Sequence, residues 1–128
     1  MSTESTAIRL AEKLKQLTID GKISWRFRAL TRDGMEPADA YIAELPDDEA
    51  ALIAERRISA GIASYSLFIS SEGETFFEAF AEGYPAEPTD EKLQMLRELR
   101  ELFAAARENA KGTWQKVEKF EQLLERLA

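Results

Sequence analysis

Residues 64 to 80, SYSLFISSEGETFFEAF, carry more large apolar side chains than one face of a β-hairpin can take. Two apolar runs flank a Ser-Glu-Gly-Glu turn. Successive side chains of a strand point to opposite faces, so Tyr65, Leu67 and Ile69 share one side while Phe68 faces the other. Phe76, Phe77 and Phe80 cannot all lie together either. A sheet built on this hairpin has apolar surface to bury on both faces, so the fold must cover two faces or leave one for another molecule.

Upstream, the period is that of strands again. In ISWRFRAL, Ile23, Trp25, Phe27 and Ala29 alternate with Ser24, Arg26 and Arg28, which predicts a strand with one wet face. After the turn-rich TRDGMEPAD, the segment AYIAEL puts Tyr41, Ala43 and Leu45 on one side and suits an antiparallel neighbour. PDDEAALIAERRIS reads in two ways. Pro46 followed by Asp47, Asp48 and Glu49 starts it like a helix, whereas its place between two strands and its length favour a strand.

Helical periodicity brackets the sheet. Ser2 to Ile19 has Ser and Thr to cap it, a stripe of Ala7, Leu10, Ala11, Leu14 and Leu17, and Gly21 beyond. EGYPAEPT closes the sheet region with two prolines. From Thr89 a stripe of Leu93, Leu96, Leu99, Leu102, Phe103 and Ala106 recurs at three to four residues. Gly112 and Thr113 make a stop and a new start, so two helices are expected in place of one long kinked helix. The last stripe, Trp114, Val117, Phe120, Leu123, Leu124 and Leu127, is the nearest candidate to fold back over the second face of the sheet; a second copy of the chain or a partner comes next.

At 128 residues the chain fits one domain over 1–128, with the N-terminal helix in 1–22, the sheet in 23–84 and the helical segment in 89–128. The reading is an α+β fold: one helix, a four- or five-stranded antiparallel meander, then one long or two shorter helices. Cysteine and histidine are both absent. That removes disulfides, thiolate metal sites, the commonest general base and the usual zinc ligand, so no cofactor or metal is expected. With no basic-then-apolar leader and no long apolar run, a cytoplasmic protein with no membrane contact is expected.

The net charge of −7 is unevenly placed. From Thr89 onward acids and bases balance, so the excess lies in residues 1 to 88, where Asp33 to Glu55 contains no Lys or Arg. A nucleic-acid ligand is disfavoured, since phosphates are bound through Lys and Arg. A basic protein partner suits such a surface.

The candidate sites are few. Asp47, Asp48 and Glu49 form the densest carboxylate cluster, for which solvation or helix-dipole complementarity is the plainer account. Asp33, Glu36 and Asp39 offer oxygen ligands without the spacing of a calcium loop. Arg26 and Arg28 project side by side from the wet face of the first strand and could fork onto an anion; cross-strand pairing with acids such as Glu44 and Glu55 is the simpler expectation. Trp25 and Trp114 are of the type that anchors interfaces, but both stand on apolar stripes that predict core packing. The residues taken as candidates for partner binding are Asp47, Asp48, Glu49, Arg26, Arg28, Trp114 and Phe120. None is taken as catalytic.

The order of a helix ending in DGKISW, a DAYIAEL strand, a SYSLFISSEGE hairpin and a closing LRELRELFAAARENAKG helix resembles small uncharacterised bacterial proteins of helix, short antiparallel sheet and helix. The resemblance implies the same fold and an accessory or defence-associated role, and carries over no catalytic residue. The expected function is non-enzymatic protein binding, as an accessory, immunity or inhibitor-like protein acting through its acidic sheet region or its C-terminal helices. A homodimer is among the expected assemblies. An acidic nucleic-acid mimic and a small carboxylate-dependent enzyme are the alternatives: the first needs a regular row of acids, the second a concave pocket holding acids of raised pKa.

Overall fold

The structure, a computed structural model, describes residues 2–31 and 38–128, apart from the side chains of Thr113 and Trp114. The chain runs α1 (Thr3–Ile19), β1 (Arg26–Phe27), β2 (Asp39–Glu44), a 3-10 turn (Pro46–Asp48), β3 (Glu49–Ser59), β4 (Ile62–Ser71), β5 (Glu74–Ala81), α2 (Asp90–Lys111) and α3 (Thr113–Leu127). The five strands pair in sequence order, each antiparallel to the next. This is the expected α+β meander between helices. Asp33 and Glu36, considered above as oxygen ligands, lie outside the described residues.

The two-sided segment at 46–59 divides its signals. Pro46 to Asp48 form one tight turn, with Asp47 and Asp48 at φ of 63° and 58°, and the strand begins at Glu49. Helix-start chemistry is thus spent on a turn, while Ala51 and Ile53 are drawn into the sheet by their burial. β1 is shorter than the alternation in 23–30 predicts. The Trp25 amide leaves the ladder and donates to Asn109 Oδ1 at 2.7 Å, so regular pairing starts only at Arg26. Phe27 stays on the inward side, edge-on to Tyr41, but at the rim of the sheet it remains 55% exposed.

One face of the sheet carries the core. Across the ladder, Phe27, Tyr41, Ile53, Leu67 and Ala79 form one row. Met95, Leu99, Leu102, Phe103 and Ala106 of α2 belong with that row to a single cluster, which α1 completes with Ala7, Ile8, Ala11 and Leu14. The buried stripe of α1 is rotated from the expected one: Ile8 and Thr18 are inside, whereas Leu17 lies off that face and is exposed. Leu93 at the start of α2 is likewise outside the core.

Two helices close the chain, as Gly112 predicts; it takes the left-handed conformation at φ 64° and is the one residue between α2 and α3. The expectation that α3 folds back over the sheet is overturned. Val117, Phe120, Leu123, Leu124 and Leu127 are all exposed, and among the described residues α3 meets the rest of the chain only near its joint with α2. The physical reason is the joint. A single residue reaches at most about 3.6 Å, so α3 must start in the helix layer, on the far side of the sheet from the face it was expected to cover.

Candidate functional site

The polar groups on the covered face are structural in their geometry. The Tyr65 hydroxyl donates to Glu55 Oε2 at 2.8 Å, beneath α2, with its ring against Phe103. Burial, then the bond to Glu55, push its phenol up to about 12. It remains a neutral donor at any ordinary pH and cannot serve as a base. A folded-state pKa above the unfolded value of about 10 means the native chain holds its proton longer, so stability is full below pH 10 and falls as pH rises through 12. Tyr65→Phe is therefore expected to flatten the alkaline loss of stability between pH 10 and 12 relative to wild type. Paired urea titrations across that window check it; parallel slopes would contradict the assignment.

Between the helices, Lys15 bridges Glu101 at 2.9 Å and the buried Glu98 at 3.3 Å. The bond to Glu101, with Glu98 adding to it, holds the Lys15 ammonium above its usual range. This triad ties α1 to α2. Among the described residues no group of three or more His, Cys, Asp or Glu could hold a metal ion.

The other face of the sheet is different. Ladder register sets Arg26, Ile42, Leu52, Phe68 and Glu78 in one continuous row across all five strands. Its middle is apolar and its ends are charged. On one side the adjoining row is Ala40, Ala54, Ser66 and Phe80; on the other it is Glu44, Ala50, Ser70 and Thr75. The register breaks at Arg57/Ser59 and Ile69/Ser70 bend and twist the strands locally, so this face is not flat but holds a trough. The hollow measures about 890 Å³ and is lined from Arg28 at one edge to Phe80 at the other. No helix or strand among the described residues lies over it.

Charge is distributed unequally along its rims. Arg28 continues the Ala40–Ala54 row at the β1 edge, and Arg56 lies one step beyond that row. At the opposite end Glu44, Asp48, Glu49 and Glu72 border an adjoining hollow of about 620 Å³. Arg26 bridges to Glu44 at 2.6 Å, and that bond, with the Arg26 charge, holds the Glu44 carboxyl below the usual carboxylate range.

The candidate residues named from sequence thus separate. Arg26, Arg28 and Asp48 stand around the open trough. The expected pairing of Arg26 with Glu44 is present, whereas Glu55 lies on the covered face with Tyr65 and Arg57. Asp47 is exposed on the turn, and Glu49 accepts from the Ser71 hydroxyl at 3.2 Å. Phe120 is 60% exposed on α3. Trp114 lies on the same helix, and its side chain is outside the described residues.

Trp25, in contrast, is core as expected, its indole N–H donating to Thr18 Oγ1 at 2.8 Å. The trough floor of Ile42, Leu52 and Phe68 was not named as a site from sequence. Its signal was present in the two-sided apolar pattern of 41–54 and 64–80. Compared with protein-family models, curated proteins and solved structures, the chain matches none. Among the described residues no helix is long and apolar enough to cross a membrane.

Proposed function

We propose that this is a non-enzymatic protein-binding module of the accessory, immunity or inhibitor-like kind, and that the open trough of the sheet is its binding surface. One observation carries the reading: Leu52 and Phe68, half-buried, and the exposed Phe80 line a hollow bordered by charged side chains, with the buried Ile42 at its β2 side. That is the anatomy of an interface, an apolar centre within a polar rim. The acidic end at Glu44, Asp48 and Glu72 favours a partner segment with basic residues. The acids are shared between the two faces of the sheet, with Glu49 and Glu55 on the covered side, which favours segment binding over imitation of a phosphate backbone.

Phe80, at the edge of the trough and 55% exposed, is the cleanest probe. Affinity capture from the native cell with the tagged full-length chain, read by mass spectrometry, is expected to return a protein that Phe80→Asp loses while its melting temperature stays near wild type. A partner retained undiminished by Phe80→Asp and also by Phe68→Asp would remove the trough from the interface.

A further inference from the structure

We infer that the occupant of the trough is helix α3 of a second copy of this chain, exchanged reciprocally in a two-fold dimer. The inference rests on the reading of the trough as a protein-binding surface and names its partner. Three observations carry it.

The first is that each copy has two unpartnered apolar surfaces of matching size. α3 has 15 residues, about 22 Å of helix at 1.5 Å per residue. Five strands, four spacings of about 4.8 Å, span about 19 Å. The helix is therefore long enough to span the sheet, and the apolar groups open to it are Leu52, Phe68 and Phe80, since Ile42 is already buried.

Charge is the second. At 100° per residue, Val117, Phe120, Leu124 and Leu127 align as one stripe. Glu118, Glu121 and Glu125 fall along one flank of it; Lys116, Lys119 and Arg126 fall along the other. The trough is divided in the same sense, with Arg28 and Arg56 on one rim and Glu44, Asp48 and Glu72 on the other. A helix laid with its acidic flank over the arginines brings its basic flank to the carboxylates, and only one polarity of the helix does so.

The third is the joint. Gly112 alone connects α2 to α3, and α2 lies on the covered face. The helix of the same chain cannot cross to the other side of its own sheet while α2 stays packed, so the trough is open to a helix from elsewhere. A second copy supplies one that fits. Exchange in both directions makes the contact twice, as an isologous interface requires.

Light scattering on the full-length chain is expected to give a dimer. Phe120→Asp and Phe68→Asp, on the two sides of the same contact, should each weaken association by about 30-fold or more, the size of a hot-spot loss. Phe80→Asp is the second variant for the trough side, should Phe68→Asp fail to fold. Mixing the Phe120→Asp chain, whose trough is intact, with the Phe68→Asp chain, whose helix is intact, should restore a heterodimer through the one contact left whole. A wild-type chain that stays monomeric at every concentration light scattering can reach, or a dimer untouched by both substitutions, overturns the inference. In either case the native-cell capture above still decides the trough reading by itself, because a different protein lost on Phe80→Asp would keep the trough as an interface and exclude only the second copy.

Discussion

Trp25→Ala is expected to cost about 3 to 5 kcal/mol, the range for deleting a large buried aromatic. The ring is 5% exposed and stands where three elements meet. Its indole N–H is bonded to Thr18 at the end of α1, and its amide to Asn109 near the end of α2. Truncation leaves a cavity and strands the buried Thr18 hydroxyl without its donor. That hydroxyl still donates to the Leu14 carbonyl at 2.7 Å, so part of its bonding survives. Urea denaturation with an unchanged slope and a lower midpoint is the expected record; a midpoint equal to wild type would mean the ring is not a core element. Trp25→Phe should recover most of the packing and leave a deficit near the worth of one hydrogen bond, about 1 kcal/mol.

Phe103→Ala should cost a similar amount, about 3 to 5 kcal/mol, for a different reason. Phe103 is 2% exposed and meets Tyr41 edge-on at 5.4 Å and Tyr65 at 5.8 Å between ring centroids. The Arg107 guanidinium lies 5.5 Å from the same ring. One side chain of α2 therefore fastens both β2 and β4 to the helix layer. Beyond lost burial, its removal deprives two tyrosine rings and a cation of a partner, and aromatic pairs contribute about 0.5 to 1.5 kcal/mol each over area alone. Thermal melts of Phe103→Leu beside Phe103→Ala separate the two effects: if leucine restores full stability, the ring contacts contribute nothing beyond volume.

Much of this architecture is legible in the residues because period and face coincide. Tyr41 and Ala43, and Tyr65 and Leu67, alternate in sequence and face the helices in the fold. Thr89 and Gly112 mark helix ends by capping chemistry that acts locally, and both act so here. What periodicity misses is long-range. Nothing around Trp25 shows that Asn109, 84 residues on, will take its amide and shorten β1. Gly83 reads as part of a boundary segment, yet a Cβ there would lie 2.3 Å from the Ala63 carbonyl oxygen, a close approach held where the Gly83 amide donates to Ser64 Oγ at 3.1 Å just past β5. The trough is half legible: the surplus of Phe68 and Phe80 announces a second apolar face, but which residues border it depends on register across strands and on breaks at Arg57/Ser59 and Ile69/Ser70. α3 was misplaced because amphipathicity says that a face needs cover without saying whose.

Asn109 has a role that the chain can report optically. Its side-chain oxygen accepts the Trp25 amide, and its main-chain oxygen accepts the Gly112 amide at 3.1 Å. A fluorophore in the core is therefore one residue's bonding away from the pivot of the terminal helix. The chain has two tryptophans, and Trp114→Phe leaves Trp25 as the single emitter. In that variant, a change in the bearing of α3 about Gly112 would pull on the Asn109 turn and alter the surroundings of the indole, so emission wavelength becomes a label-free readout of whether the helix is engaged.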